Sequence, residues 1–314
     1  MINVLVIGLG NIGALYDWDS ENIYTHVKAF STLPNCNLYV HDVDVIKTQM
    51  VSNRYKTGVL NAIDKKSLGS FNCVSICTPN NTHGYYLKMA FDAGVKLIIC
   101  EKPLSIKWDA LEIMKSYYLQ SSSKVIVNLF RRFQPAYNNL KERIAAILTH
   151  DELQQLSITY QNGFLNNCIH AFDLIEFIFD KELTLSHIKP IQAYQKCKFL
   201  TSFQAKWQNV LVKVIEIEPQ NPPVFNIDLH FRFHSIMLTN SSNNIQIIYK
   251  PDAASNDAHI QQENFTNCIS NYMLPVIHYA QTQLHNKQSQ DNFLNTVALN
   301  KKMINYYSKL ACQN

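Results

Sequence analysis

VLVIGLGNIG, residues 4–13, runs from an apolar stretch straight into three glycines spaced G-x-G-x-x-G. Three glycines alone are a weak signal, because they can simply make a turn. Here the apolar run NVLVI (3–7) precedes them and a helical stretch follows, which is the setting of a dinucleotide-binding loop. Gly8 permits the tight turn, Gly10 lets a pyrophosphate approach the backbone, and Gly13 lets helix and strand pack closely. Asn11 and Ile12 lie between the last two glycines at the helix start, where free N–H groups favour phosphate charge.

Outward from this loop the chain keeps a rhythm. NLYVHD (37–42), CVSICT (73–78), KLIICE (96–101) and KVIVNL (124–129) read as short apolar strands. THGYYLKMAFDAG (82–94) and DALEIMKSYYLQ (109–120) between them read as helices. The alternation predicts a parallel sheet with helices on both faces. Asp42 closes the second strand, where a carboxylate can bond both ribose hydroxyls and repel a 2′-phosphate. That predicts NAD rather than NADP; a plain turn aspartate is the bland alternative. The distance from the glycines exceeds the usual ~20 residues. The excess is LYDWDSENIY (15–24), an insertion near the first helix that is either a surface loop or a lip over the site.

Past about residue 150 the pattern changes. LQQLSITYQN (153–162), WQNVLVKVIEI (207–217), VFNIDLHFRF (224–233) and NIQIIYK (244–250) alternate apolar and polar residues. They predict an antiparallel sheet with one covered face, and a last helical segment is expected at about 289–309. EPQNPPVF (218–225) is a proline-punctuated loop rather than a linker. The expected organisation is α/β plus α+β. Residues 1–126 form a Rossmann domain with a parallel sheet. Residues 127–314 form a substrate-binding and oligomerisation domain, a mostly antiparallel open sheet flanked by helices.

The 314 residues allow about two domains. A net charge of +4 is too small and scattered to indicate nucleic acid or an anionic membrane. No apolar run is long enough to span a bilayer, and MINVLVIGLG lacks the charged start and cleavage site of a signal peptide. The eight cysteines show no zinc spacing. The expectation is a cytoplasmic protein with buried thiols and no metal.

IICEKPLS (98–105) poses the chemical question: Glu101 and Lys102 stand side by side at the mouth of a buried strand, followed by Pro103. Charges in such a place need partners. The stretch CTPNNTHGYYLKMAFDAGVKLIICEKPLS (77–105) closely resembles the Gfo/Idh/MocA family, named for glucose–fructose oxidoreductase, inositol dehydrogenase and rhizopine catabolism. The family's T-P-N-x-x-H, alanine–glycine and E-K-P elements stand at Thr78, Pro79, Asn80, His83, Ala93, Gly94, Glu101, Lys102 and Pro103. NLFRRFQPAYNNLK (128–141) is similar to its R-R-F-x-P segment, and NGFLNNCIHAFDLIEF (162–177) to its histidine helix. The matches run in order from residue 1 to about 180; the last third matches only in character.

The resemblance implies cofactor contacts from Thr78, Pro79, Asn80, His83, Glu101 and Lys102. It implies that Lys102 lies between nicotinamide and substrate, bonding the hydroxyl that becomes a carbonyl, often on a cis peptide to Pro103. A lysine held near a positive nicotinamide should have a lowered pKa and can join proton transfer. His170 is the second acid–base candidate. With Asn166 and Asp173 it stands at i, i+4 and i+7, one face if the stretch is helical. Many relatives carry aspartate where this chain has Asn166, so a carboxylate mechanism at that position is in doubt. Asn166, and more weakly Asn167, are expected to contact substrate. Arg131 and Arg132 read as opening the helix RRFQPAYNNLK, where two cations suggest an anionic partner: Glu101, a cofactor phosphate, or a substrate anion bound by Arg132; a structural salt bridge is the equal alternative.

The reading is an NAD-dependent oxidoreductase. It moves a hydride between nicotinamide and a secondary alcohol or ketone carbon of a sugar, nucleotide sugar or polyol. The resemblance also implies a homodimer or homotetramer. Two rivals stand beside this reading: an NAD-retaining sugar hydrolase or lyase with no net redox, and a non-catalytic sensor of NAD or sugar.

Overall fold

The computed structural model describes residues 1–191, 201–250, 260–286 and 291–312. They fall into two units, Met1–Phe133 with Asn271–Lys301, and Gln134–Ser270 with Lys302–Asn314.

The first unit is built on β1 (Ile2–Ile7), α1 (His26–Ser31), β2 (Cys36–His41), α2 (Val45–Tyr55), β3 (Gly58–Val59), α3 (Lys65–Leu68), β4 (Cys73–Ile76), α4 (His83–Asp92), β5 (Leu97–Cys100), α5 (Trp108–Leu119) and β6 (Lys124–Val127). Its six strands are parallel, in the order β3-β2-β1-β4-β5-β6. Every residue of β4 and β5 is buried, which is why these strands are unbroken apolar runs rather than alternations. The strand order reverses between β1 and β4. In such sheets the carboxyl ends at that switch open a crevice for ligand.

The second unit contains α6 (Pro135–Ile147), β7 (Leu153–Tyr160), α7 (Ile169–Phe179), β8 (Ser186–Pro190), β9 (Phe203–Trp207), β10 (Val210–Glu216), β11 (Phe225–Phe231), β12 (His234–Thr239), β13 (Asn244–Tyr249) and β14 (Gln261–Phe265). These strands form one sheet ordered β14-β13-β12-β11-β7-β10-β9-β8. Only the β7–β10 pair is parallel. Strand β11 shows the expected alternation: Phe225, Ile227, Leu229 and Phe231 are buried, and Asn226, Asp228 and His230 between them are not. On the covered side Phe164 packs edge-on against Phe172 of α7 and Phe203 of β9.

Two further helices follow, α8 (Met273–His285) and α9 (Phe293–Ala311). Met273, Val276, Ile277 and Ala280 of α8 join Val27 and Phe30 of α1 in one apolar cluster. This packing places residues 271–301 with the first unit, whereas a division of the sequence at 126/127 puts them in the second. Within the stretch 207–217 the strand is Val210–Glu216; Trp207 ends β9, and the chain turns at Gln208, whose φ is +56°. Arg131 and Arg132 do not open a helix. They sit in a separate 3₁₀ turn, Phe130–Phe133, and α6 begins at Pro135 with Pro in its first turn. The helix-dipole argument for an anion beside these arginines therefore does not apply. Residues 289–290 of the expected last helix lie outside the described residues. Among the described residues no helix is long and apolar enough to cross a membrane, and no cluster of three metal-ligating side chains occurs.

Candidate active site

The glycine loop has a packed side and an open side. Gly8 has φ +90°, and a Cβ there would lie 2.9 Å from backbone atoms of Cys77 and Thr78. A Cβ on Gly13 would lie 2.0 Å from the Gly8 carbonyl oxygen. The chain's own packing therefore demands both glycines. Gly10 differs: a Cβ there would meet nothing within 4 Å. What Gly10 leaves room for is outside the chain, which fits a loop that takes a dinucleotide phosphate against its backbone. After it, Asn11–Leu15 make a π-helical turn, with the Ala14 and Leu15 N–H groups both donating to Gly10 O. Asn11 is exposed, and Ile12 packs against the core.

Asp42 is tied into this loop. Its Oδ2 accepts the Leu9 N–H at 2.7 Å and its Oδ1 the Asp44 N–H at 2.9 Å, with Lys47 Nζ 3.5 Å from Oδ1. Burial alone would raise its pKa, but these backbone bonds and Lys47 outweigh that and hold the carboxyl below its ordinary value. The 15–24 segment is anchored as well. Asp17, fully buried, accepts the Tyr24 N–H at 2.6 Å, the Thr25 N–H at 2.9 Å and the Thr25 hydroxyl at 2.9 Å. Tyr24 stacks on Tyr272, and Tyr272 on Phe130, with ring centroids 4.9 and 4.3 Å apart.

Two turns at the carboxyl ends of β4 and β5 come next. Thr78, Pro79 and Asn80 form the first, where the Thr82 hydroxyl donates to Thr78 Oγ1 at 2.8 Å and to Pro79 O at 2.7 Å. Glu101, Lys102 and Pro103 form the second, with a cis Lys102–Pro103 peptide. His83 lies between them. Its Nε2 is 2.8 Å from Thr78 O and its Nδ1 3.1 Å from Pro103 O, and the residue is buried. Both ring nitrogens thus face backbone carbonyls, so His83 spaces the two turns. Burial lowers its pKa. Burial also lowers the pKa of Lys102; Glu101 opposes the shift and Arg131 adds to it.

Sequence reading passed over what holds Glu101. His26 Nε2 lies 3.0 Å from Glu101 Oε1, and Asn128 Nδ2 donates to the same oxygen at 2.5 Å. His26 Nδ1 lies 2.7 Å from Ser75 Oγ, which is 3.6 Å from Cys77 Sγ. All five residues are buried. Burial raises the Glu101 pKa, but His26 and Asn128 more than reverse that, and the carboxyl stays below its ordinary value.

In the second unit Gly163, at φ +93°, opens a π-helical turn, Phe164–Cys168, that leads into α7. The wider turn interrupts the plain i, i+4 step. Asn166 is exposed, Asn167 half-buried, and His170 and Asp173 are buried. The Asn167 amide donates to Gln161 O at 2.8 Å and that of Asn166 to Asn162 O at 3.3 Å. Glu216 is a second residue that sequence reading missed. Buried at the end of β10, it accepts the Gly163 N–H at 2.7 Å and the Thr201 N–H at 2.8 Å, fixing the turn. Arg131 is buried with its guanidinium over the Phe130 ring, and Arg132 is half-buried in the same turn.

Residues 2–129 match the family model described as the oxidoreductase family with an NAD-binding Rossmann fold, Gfo/Idh/MocA. Residues 2–129 belong to the Gfo/Idh/MocA family. An inositol 2-dehydrogenase of Rhodococcus jostii RHA1 is 24% identical over 198 residues, 60% of this chain and 52% of that protein. The chain thus spans about half the length of the curated relatives it matches. Among solved structures, a UDP-N-acetylglucosamine 3-dehydrogenase from Acidithiobacillus ferrooxidans has a TM-score of 0.74 at 13% identity, covering 98% of this chain and 96% of that one. The super-repressor mutant of Gal80p from Saccharomyces cerevisiae has a TM-score of 0.75 at 13% identity, covering 100% and 97%. These two likenesses show that the chain shares the fold of those two proteins over nearly its whole length.

Proposed function

We propose that this chain is an NAD-dependent oxidoreductase acting on a secondary alcohol or ketone carbon of a sugar, nucleotide sugar or polyol. The observation that carries the reading is Lys102. It stands on a cis peptide at the end of β5, in the same unit as the glycine loop, with burial holding its ammonium pKa down. A cation with that tendency can hydrogen-bond a substrate hydroxyl and share its proton. Bound NAD would supply the hydride acceptor, held by the Gly8–Gly13 loop, Asp42 and the Thr78–Asn80 turn. His170 of the second unit is the other proton carrier, and Asn166, Asn167 and Arg132 are the substrate contacts. Dehydrogenase relatives that act on inositol and on a nucleotide sugar support this substrate class. A homo-oligomer in the cytoplasm goes with the reading.

The test is Lys102→Ala, assayed with NAD and a panel of inositols and UDP-sugars. NADH affinity should stay near that of the wild type, because the glycine loop is untouched. Turnover should fall by roughly 10²–10⁴, the reach of one positioned acid–base group. Turnover within a few-fold of wild type would make Lys102 structural. Gal80p, a repressor by its name, gives a second reading some ground: an NAD- or sugar-binding sensor without turnover. NADH binding with no turnover on any panel member would favour it.

A further inference from the structure

We propose that His26 is a positioning residue: as an imidazolium fixed between Ser75 and Glu101, it holds the Glu101 carboxylate and so sets the charge and aim of the adjoining Lys102. This rests on the reading of Lys102 as the proton-handling group. Four neighbouring pieces of the first unit converge here. His26 is the first residue of α1, delivered by Thr25, whose side chain caps the helix and is itself bonded to buried Asp17. Ser75 belongs to β4, Glu101 follows β5, and Asn128 follows β6. Three adjacent strand ends thus present one hydroxyl, one carboxylate and one amide to a single ring.

The carboxylate needs a counter-charge. Glu101 is buried at the mouth of an apolar strand, and a lone carboxylate in such a place takes up a proton. Its Oε1 faces two nitrogens, His26 Nε2 and Asn128 Nδ2, and its Oε2 accepts the Lys102 N–H at 3.3 Å. Both ring nitrogens of His26 have an oxygen within 3.0 Å, Glu101 Oε1 and Ser75 Oγ. A doubly protonated ring satisfies both, leaving the Ser75 hydroxyl to donate toward Cys77 Sγ. Burial opposes charge on His26, but the Cys77 sulfur and the Glu101 carboxylate outweigh it and push its pKa up to about 10.

The charged and titratable neighbours are Cys77 after β4, Cys100 and Lys102 around Glu101, Arg131 after β6, His83 of α4 and Tyr272 before α8. On Lys102 itself, Glu101 and Arg131 act with opposite signs. An imidazolium bound to Glu101 offsets part of the carboxylate's charge and leaves Lys102 the weaker-held proton. The bond chain His26–Glu101–Lys102 N–H also fixes the start of the turn that carries the ammonium.

The experiment uses the full chain without NAD or substrate, labelled with ¹⁵N-histidine and ¹³Cε-lysine. His26→Gln and Lys102→Met spectra assign the two signals. In the wild type, both His26 nitrogens should carry protons at neutral pH. His26→Gln should raise the Lys102 titration midpoint by about one unit, because Glu101, kept ionised by the Asn128 amide and the Lys102 N–H, then acts on Lys102 with no opposing imidazolium. Glu101→Gln should lower the midpoint by a similar amount, and the double variant should match Glu101→Gln rather than cancel. A singly protonated His26 in the wild type would overturn the proposal even if the variants failed to fold. An unmoved Lys102 midpoint in His26→Gln, or a double variant in which the single shifts sum, would do the same. None of these results depends on turnover, so loss of the proposed function through the Lys102→Ala assay remains a separate outcome.

Discussion

At Asp42 one carboxylate oxygen takes the Leu9 N–H and the other the Asp44 N–H, so the residue anchors the glycine loop as well as marking the end of β2. Each oxygen keeps a lone pair for a ribose hydroxyl. A 2′-phosphate would meet Asp42 and Asp44, with Lys47 offsetting part of their charge. NADH should therefore bind more tightly than NADPH, by roughly tenfold or more at low salt. Paired fluorescence titrations measure this, and equal or tighter NADPH binding would refute it. Lys47 was invisible as a counter-charge in the sequence, because its approach to Asp42 depends on the turn that starts α2. At the other end of the proposed chemistry, buried His170 and exposed Asn166 should respond differently to substitution. His170→Ala should lose turnover and the ionisation near neutral pH, since imidazole is the group that titrates there. Asn166→Ala should chiefly weaken substrate binding, by about 1–3 kcal/mol if a hydroxyl loses its partner. Asn166→Asp adds a negative charge, which raises the histidine pKa and moves the onset of activity to higher pH. Turnover against pH for the three variants checks all of this. An unchanged limb in both His170→Ala and Asn166→Asp would leave Lys102 as the only proton carrier.

Between elements, the His26–Glu101 bond ties α1 to the end of β5, and its contribution to stability has a definite pH window. The folded pKa of His26 is raised from 6.5 to about 10. Its contribution is fully present below 6.5 and fades as pH rises through about 10. Glu101 is lowered from 4.5, so its contribution is present above 4.5 and is lost as pH falls through the folded value. The thermal-stability gap between wild type and His26→Gln should thus be widest between about pH 4.5 and 6.5 and shrink toward pH 10. A gap that stays constant over that range would refute the assignment. This bond could not be read from the sequence, because His26 meets partners 49, 75 and 102 residues away at Ser75, Glu101 and Asn128. The strands that could be read are those whose burial is regular: β1, β4, β5 and β6 as apolar runs, and β7, β11 and β13 as alternations. Among those passed over, β9 and β12 do alternate, but two others have no such signature. Strand β3 has only two residues, and β14, QQENF, is a largely exposed edge strand whose polar face guards against further pairing. Helix α8 carries Pro275 in its first turn, where proline is tolerated but reads as a breaker.

For the molecule as a whole, the three readings differ in what becomes of the cofactor rather than in whether it binds. All three keep the Gly10 opening and the Asp42 anchor, so binding alone does not separate them. A net oxidoreductase must release reduced cofactor each cycle. Its affinity for NADH must therefore be weak enough for exchange on the time scale of turnover. An enzyme that oxidises, cleaves and reduces again restores NAD within one cycle, gains nothing from release, and is expected to hold the cofactor through purification. A loop that binds through backbone amides and the Asp42 carboxylate serves either cycle, and on the oxidoreductase reading the cofactor exchanges. Protein purified without added nucleotide should therefore lose bound NAD on desalting, as judged by the ratio of absorbance at 260 to 280 nm. With added NAD and a substrate from the panel, NADH should accumulate in proportion to sugar oxidised, followed at 340 nm. Stoichiometric nucleotide surviving desalting, with a panel sugar cleaved and no net NADH, would replace the oxidoreductase reading with the hydrolase or lyase one, because only a closed redox cycle gives both results together.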